Sequence, residues 1–259
     1  MQIQVPALVR EWTDTPRDGR EIVGVLGGMG GLASAEFLKT IYETEVGERE
    51  QDGPVVMLFS DPSFPDRTES FLAGHEEVVL EPLVRALERM RASGASSVVM
   101  CCMTLHHLLP RLPPALRERV VSLLDVLMEE LANARGRYLL VCSTGTRQLG
   151  LFDRHPRWDE VRGRVILADP DDQRRIHHDL IYPVKRNAGM DGLVRMLDEL
   201  IDRYAADGFI VGCSEVHVLA KHYFATLDPE RRRECIDPLA AVANAIREGA
   251  LGRALAVPS

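Results

Sequence analysis

Two cysteines in equivalent settings carry the strongest chemical signal in the sequence. Cys102 follows the apolar run Val98-Val99-Met100-Cys101, and Cys213 follows the similar run Phe209-Ile210-Val211-Gly212. Each run is typical of a buried strand, and the residues after each cysteine have the spacing of a helix. The sequence therefore predicts two thiols at two equivalent strand ends, each at the start of a helix.

Two thiols that face each other across a cleft could take a proton from one side of a carbon atom and return one to the other side. A helix N-terminus favours the negative thiolate, so we expect a lowered pKa at these cysteines, with one sulfur acting as base and the other as acid. A base on one face of a tetrahedral carbon and an acid on the opposite face invert its configuration. The predicted reaction is racemisation or epimerisation, with Cys102 and Cys213 as the catalytic pair.

Several residues near the predicted strand ends could hold the carboxylates of a substrate. The glycine turn Gly27-Gly28-Met29-Gly30-Gly31 offers backbone N–H groups, and Thr104 and Ser214 offer hydroxyls. Arg67 and Lys185 supply positive charge, which pairs well with carboxylates. Two prolines shortly before Arg67 are expected to stiffen the backbone and fix the direction of its side chain. An acidic amino acid or a close relative fits this set.

His106 and His217, each four residues after a cysteine, admit more than one interpretation. They could orient the thiolates from a supporting position. They could also join the two cysteines in a Cys₂His₂ metal site, although strand-to-helix turns in separate domains lack the compact geometry of structural zinc sites. We therefore predict no metal site and place both histidines in supporting roles.

Glu215, two residues after Cys213, admits three roles. It could keep Cys213 in its protonated state, contact an ammonium group, or stabilise the first turn of its helix through the helix dipole. The remaining cysteines, Cys101, Cys142 and Cys235, are interpreted as small packing residues.

The segments around the two cysteines contain further landmarks that occur twice, in the same order. A glycine turn after an apolar strand is present in Val23-Gly24-Val25-Leu26-Gly27-Gly28 and again in Leu139-Leu140-Val141-Cys142-Ser143-Thr144-Gly145. An aspartate, Asp125 or Asp237, follows each cysteine at nearly the same distance. These repeats predict two similar units with a site between them.

Strands that alternate with helices predict βαβ units and parallel sheets, whose ligands bind beyond the carboxyl ends of the strands. The predicted fold class is α/β, with two pseudo-symmetric domains, each a mainly parallel sheet flanked by helices, and the active site in the cleft between them. Residues 1–20 are predicted to be an N-terminal extension. The first domain is expected to comprise residues 21–118 together with 228–259, and the second domain residues 119–227.

Composition narrows the class of protein. The 259 residues are 46% hydrophobic and 27% charged, with 31 Lys+Arg against 39 Asp+Glu and a net charge of −8, which argues against a nucleic-acid-binding surface. No apolar stretch approaches the roughly 20 residues that span a bilayer, and the first residues do not have the pattern of a signal peptide. Five cysteines, an odd number, do not suggest a disulfide framework, so we expect a cytoplasmic protein.

Four segments, in order and at suitable spacing, resemble the aspartate/glutamate racemase family. They are Ile22 to Ala33 with its glycine turn, Asp61-Pro62-Ser63-Phe64-Pro65-Asp66-Arg67-Thr68, Cys102-Met103-Thr104-Leu105-His106, and Gly212-Cys213-Ser214-Glu215. The resemblance implies a racemase that needs no cofactor, has two catalytic cysteines, contacts the substrate carboxylates through Arg67 and Lys185, and forms a homodimer. By position, the expected substrate-binding residues are Met29, Gly30, Arg67, Met103, Thr104, Ser214 and Lys185, with Asp61, His106, Glu215, His217 and Thr144 in support.

The sequence departs from the family pattern at several of these positions. Met103 stands where an asparagine is usual, Asp61 also replaces an asparagine, Gly31 a proline, and Ser214 a threonine. Losing an amide beside Cys102 and gaining an anion nearby could remove contacts to the substrate. We therefore expect an amino acid that is larger, less acidic or derivatised.

Three other functions stay open at this stage. A relative with the same fold could isomerise or decarboxylate a dicarboxylate, or bind a ligand without catalysis. Retention of both cysteines favours the two-base reaction, since a one-base enzyme does not need the second thiol. A racemase that uses pyridoxal phosphate would need a Schiff-base lysine, and the sequence has only three lysines, Lys39, Lys185 and Lys221.

Overall fold

The computed structural model describes residues 20–43 and 49–251. All but the last residue of the predicted N-terminal extension, and residues 252–259 of the predicted first domain, lie outside the described residues. Within these two ranges, no helix is long and apolar enough to cross a membrane.

The first sheet has four parallel strands. They are β1 (Ile22–Gly27), β2 (Val55–Ser60), β3 (Ala95–Met100) and β4 (Val120–Val121), in the spatial order β2-β1-β3-β4. The register pairs Gly27 of β1 with Ser60 of β2. The carboxyl ends of these strands therefore meet at one edge, from which the glycine turn and the loop before Arg67 begin.

The second sheet repeats this topology. Its strands are β5 (Tyr138–Cys142), β6 (Val165–Ile166), β7 (Gly208–Gly212) and β8 (Glu234–Ile236), all parallel, in the order β6-β5-β7-β8. Strands β5 and β7 are buried along their whole length, as expected for parallel strands covered on both faces. The predicted α/β fold with two pseudo-symmetric parallel sheets is confirmed.

Helices flank both sheets. The α-helices are α1 (Gly31–Tyr42), α2 (Arg67–Leu72), α3 (Glu77–Ala92), α4 (Pro114–Arg117), α5 (Leu123–Asn133), α6 (Thr144–Gln148), α7 (Trp158–Val161), α8 (Pro170–Arg175), α9 (Tyr182–Lys185), α10 (Met190–Arg203), α11 (Ser214–Thr226) and α12 (Pro238–Arg247). Short 3₁₀ segments span Glu50–Asp52, Met103–Arg111, Arg162–Arg164 and Pro229–Arg231, and a π-helical turn spans Ile176–Ile181.

The two short edge strands lie on the other side of the predicted domain boundaries. Strand β4 was expected in the second domain but pairs with β3, and β8 was expected in the first domain but pairs with β7. A strand of two or three residues carries too little hydrophobic pattern to show which sheet it joins. We propose domain boundaries that follow these pairings, with α12 returning to pack against α1 and α5.

The segment after Cys102 differs from the prediction, whereas the segment after Cys213 agrees with it. Strand β7 ends directly before Cys213, and α11 starts directly after it. Strand β3 ends at Met100, two residues before Cys102, and a 3₁₀ segment rather than an α-helix follows. Its proline, Pro110, lacks the N–H that an α-helix would use in that turn.

His217 connects three helices in the core. Its Nδ1 donates to Asp237 Oδ2 at 2.6 Å, and its Nε2 lies 3.0 Å from Thr40 Oγ1 of α1. Asp237 Oδ1 also caps α12 by accepting from the backbone N–H groups of Leu239 and Ala240. The second of the two repeated aspartates is thus a cap that also satisfies a fully buried histidine.

We predict that Asp237→Ala lowers the free energy of unfolding by about 2–4 kcal/mol, because it removes a helix cap and leaves the buried His217 ring without its acceptor. Ser122→Ala is the matched control, since Ser122 caps α5 without a buried histidine partner, and should cost about 1 kcal/mol. Urea denaturation of both variants measures the difference. Equal losses would contradict the role assigned to His217.

Candidate active site

Cys102 and Cys213 lie in one shared electrostatic environment at the carboxyl ends of the two sheets. Each is 7% exposed. The Cys213 Sγ–H donates to Glu215 Oε2 at 2.7 Å. The charge of Cys102 acts on the ionisation of Cys213, and both cysteines act on that of Lys185. The repeated strand ends thus bring the two sulfurs and a cation into range of one another.

The expected lowering of the pKa is wrong for Cys213. Burial raises the pKa of its thiol well above the usual value, and the charges of Glu215 and Cys102 raise it further, while Lys185 opposes them. The partial charge at a helix N-terminus is smaller than the combined effect of burial and a full negative charge at hydrogen-bonding distance. Cys213 is therefore a protonated thiol in this structure.

Arg67 is a buried cation held by backbone carbonyls. Its Nη2 donates to Met29 O at 2.9 Å and its Nη1 to Pro65 O at 2.6 Å, so the proline loop fixes the guanidinium as predicted. Its Nε is buried with no hydrogen-bond acceptor, and within the described residues it forms no ion pair. A carboxylate is the natural partner for such a group.

Lys185 provides the second cation. Burial alone would lower its pKa, but Glu215, Cys213 and Cys102 together raise the pKa above its usual value despite the opposing charge of Arg67. Its Nζ lies 4.8 Å from the centre of the Tyr182 ring. The amine is therefore charged at neutral pH and lies within electrostatic range of the two cysteines.

The glycine turn makes room for Glu215. Gly30 has φ +155°, and a Cβ there would lie 2.0 Å from Glu215 Oε1. Gly28 has φ +94°, and a Cβ there would lie 2.3 Å from the backbone of Asp61. Both positions need glycine, because the turn packs closely against a carboxylate on one side and a neighbouring loop on the other.

The predicted hydroxyls beside the cysteines, those of Thr104 and Ser214, have hydrogen-bond partners within the protein. Thr104 Oγ1 lies 3.2 Å from Ser143 Oγ and 2.9 Å from Thr146 Oγ1, which links the two units. Ser214 Oγ donates to Glu215 Oε2 at 3.3 Å. These hydroxyls therefore already have partners within the protein.

Met103, Met29 and Asp61 contribute in other ways. The two methionines are buried in separate apolar clusters. The Asp61 carboxylate accepts from the hydroxyl and backbone N–H of Ser63, and these bonds lower its pKa. Asp61 thus stabilises the loop that carries Arg67, whereas the Met103 side chain belongs to a different apolar cluster from Cys102.

The hydrogen bonds of their ring nitrogens define the roles of His106 and His217. Leu123 N–H donates to His106 Nε2 at 3.0 Å, so His106 Nδ1 carries the proton and donates to the Cys102 carbonyl at 3.2 Å. Burial lowers the pKa of His106, which keeps it neutral. His217 bonds to Asp237 and Thr40, away from the sulfur. Neither ring is free to join a Cys₂His₂ site, and among the described residues no group of three or more His, Cys, Asp or Glu side chains could hold a metal ion.

A cavity of about 840 Å³ is lined by residues of α2, α6, α8 and the π-helical turn, and neither Cys102 nor Cys213 is among its lining residues. Thr68 and Thr144 line it from opposite sides, and Tyr182 lines it next to Lys185. Burial and the neighbouring His178 and Lys185 lower the pKa of His177, also in the lining, to about 4, so this ring is neutral.

The sequence prediction missed some contributors to the site, notably Tyr182 and Asp66. The Tyr182 hydroxyl donates to Asp66 Oδ2 at 3.0 Å, and this bond joins residues 116 positions apart in the chain. No local spacing signals such a pair. The aromatic residue one helical turn before Lys185 was the only available indication.

The match to known proteins covers most of the chain. The family model described as Asp/Glu/Hydantoin racemase matches residues 26–246. Aspartate racemase from Picrophilus torridus is similar in structure, with a TM-score of 0.68, 22% sequence identity, and coverage of 89% of this chain and 94% of that chain. An aspartate racemase homologue from Pyrococcus horikoshii OT3 gives a TM-score of 0.59 at 16% identity, with 89% and 99% coverage.

A third similar structure is allantoin racemase from Klebsiella pneumoniae, with a TM-score of 0.57, 14% identity, and coverage of 92% of this chain and 94% of that chain. At these identities the structural likeness establishes the shared fold. The family match rests on the sequence itself and spans both units, glycine turn and cysteines included. The chain belongs to the Asp/Glu/Hydantoin racemase family.

Proposed function

We propose that this protein is a racemase or epimerase of an amino acid that needs no cofactor, with Cys102 and Cys213 acting on opposite faces of the α-carbon. The observation that carries the proposal is the grouping of two buried thiols from equivalent strand ends with two cations, Arg67 and Lys185. Family membership supports the reaction class.

The proposed reaction moves two protons without any other reactant. A thiolate takes the α-hydrogen as a proton and becomes a thiol, leaving the electron pair on the α-carbon. The opposite thiol gives its proton to the other face of the carbon and becomes a thiolate. Charge is conserved, and the two sulfurs exchange protonation states in each turnover. The positive charges of Arg67 and Lys185 would stabilise the negative charge that develops on the substrate carboxylate.

Helices α2 and α6 are in close contact, since a Cβ at Gly145 of α6 would lie 2.6 Å from Thr68 Oγ1 of α2. Cys102 and Cys213 are each only 7% exposed. We propose that these helices separate to admit the substrate and close around it, which excludes water from the developing carbanion.

The substrate is proposed to carry at least one carboxylate and a group larger than the side chain of aspartate. Met103 offers no amide beside Cys102, and the cavity lined by Thr68, Thr144 and Tyr182 could take additional atoms. The family description also includes hydantoins, so a cyclic ureide is a second candidate.

We also propose a cytoplasmic homodimer, which sedimentation at several protein concentrations measures. A one-base decarboxylase or isomerase of a dicarboxylate and a non-catalytic sensor are the competing functions. A pyridoxal phosphate enzyme is a further competitor, and an aldimine absorption band in the purified protein would support it.

Exchange of the α-proton in deuterium oxide, without added cofactor, should be fastest for derivatised or longer acidic amino acids in a panel that also contains aspartate, glutamate and hydantoins. The reasons are the missing side-chain amide at position 103 and the neighbouring cavity. Nuclear magnetic resonance of each compound measures the rates. Fastest exchange with free aspartate would contradict the proposed substrate class while leaving the reaction class intact.

Cys102→Ala and Cys213→Ala should each lower the rate of racemisation by at least about a thousandfold, because each removes one of the two groups that transfer a proton. Circular dichroism of the substrate measures the rate. Cys235→Ala is the matched control and should keep the wild-type rate, since Cys235 lies on β8. Racemisation that survives either of the first two substitutions would contradict the two-base proposal. A wild-type protein that does not turn over its ligand, together with cysteine variants that bind the ligand as tightly as wild type, would favour a sensor.

Arg67→Lys should raise KM for a substrate with a carboxylate by about tenfold, because lysine keeps the charge but cannot bond both carbonyls and reach the substrate with a planar fork. Steady-state kinetics of the variant measures the change. Arg111→Lys, at the exposed end of its 3₁₀ segment, serves as control. An unchanged KM in Arg67→Lys would remove Arg67 from the substrate site.

A further inference from the structure

The two cysteines occupy equivalent positions in the repeat, but their surroundings differ. Two residues after Cys213 stands Glu215, whose Oε2 accepts a hydrogen bond from the Cys213 thiol at 2.7 Å. Two residues after Cys102 stands Thr104, whose hydroxyl is engaged with Ser143 and Thr146 instead. Within the described part of the chain, the Cys102 sulfur makes no hydrogen bond. The two cysteines thus have equivalent positions in the fold but different hydrogen-bond partners.

The Glu215 carboxylate has few donors besides that thiol. It is 2% exposed. Its Oε2 accepts from Cys213 Sγ and, at 3.3 Å, from Ser214 Oγ. Its Oε1 is buried without a donor among the described residues and faces Gly30, where any side chain would collide with it. A buried carboxylate with so few donors holds each of them strongly.

The charged and titratable groups that face Cys213 come from three elements. Glu215 belongs to its own helix, Lys185 to α9, and Cys102 to the segment after β3. Arg67 of α2 acts on Lys185. Of these groups, Glu215 is the one in hydrogen-bonding contact with the sulfur. Burial raises the pKa of Cys213 first, Glu215 is the next cause, and Lys185 only partly opposes them.

We propose that Glu215 is a positioning residue that keeps the proton on Cys213 in the resting enzyme, so that Cys102 is the sulfur that takes the first proton. This inference rests on the proposed two-base function. The resting enzyme is thereby prepared for the enantiomer whose α-hydrogen faces Cys102. The other enantiomer must meet an enzyme in which Cys102 has gained a proton and Cys213 has lost one.

Thiol labelling tests this assignment without any knowledge of the substrate. Iodoacetamide reacts with thiolates, so the labelling rate of each cysteine follows its ionised fraction. Native protein is labelled at several pH values from about 6 to about 10, and peptide mass spectrometry measures Cys102 and Cys213 separately. Both residues are 7% exposed, and the shape of each pH profile, which depends on ionisation and not on access, is compared between the two cysteines. In wild type, Cys102 should be labelled before Cys213 at every pH.

Glu215→Gln should make Cys213 react about tenfold faster at a given pH and should shift its pH profile lower by about one unit. The sign follows from charge, since a negative neighbour raises the pKa of a thiol and its removal lowers that pKa. Ser214→Ala is the matched control, because it removes the other donor to Oε2 and keeps the carboxylate. Slow labelling of Cys213 should persist in that variant.

Two results would overturn the role of Glu215. One is a Cys213 profile that is the same in Glu215→Gln and in wild type, with folding verified by the thermal midpoint. The other is labelling of Cys213 ahead of Cys102 in wild type, which decides the question even if Glu215→Gln does not fold. Both are separate from the proposed function, which fails instead if racemisation survives the loss of either cysteine.

Discussion

The removal of charged side chains from water, at the ends of the two sheets, is the constraint on which the rest of this structure depends. Glu215 and Arg67 are buried and Lys185 is half-buried, and an isolated ion away from water is costly. The charges compensate one another: Glu215 and the cysteines act on Lys185, and backbone carbonyls hold Arg67. Local features make this arrangement sterically possible. Gly30, for example, has no side chain and so leaves space for the Glu215 carboxylate.

The duplicated fold explains how two thiols come to occupy equivalent positions at the ends of two sheets. Both sheets place their strands in the same order, so the strand that precedes each cysteine is an interior strand. The differences lie in the residues that follow, where Glu215 contacts a sulfur and Thr104 contacts hydroxyls of the other unit. The two similar units therefore place their cysteines in different hydrogen-bonding environments.

The sequence was sufficient for the elements with strong local patterns. The interior strands, the turn at Gly28 and Gly30, and the helix after Cys213 follow from apolar runs, glycines and helical spacing. Strands β4 and β8 could not be assigned to a sheet, because pairing of two or three residues is decided by distant packing. The roles of His106 and His217 were equally hidden, since their partners Leu123 and Asp237 become neighbours only in the folded chain.

The sign of the pKa shift at Cys213 was mispredicted for the same reason: the helix end is visible in the sequence, but burial and the bond to Glu215 are not. The most direct test of the two-base account is a racemisation reaction started from one enantiomer in deuterium oxide and stopped early. The account predicts deuterium at the α-carbon of the product and none in the recovered starting enantiomer, because each face of the carbon meets a different sulfur. Equal deuterium in both enantiomers would mean that one base serves both faces, and would contradict it.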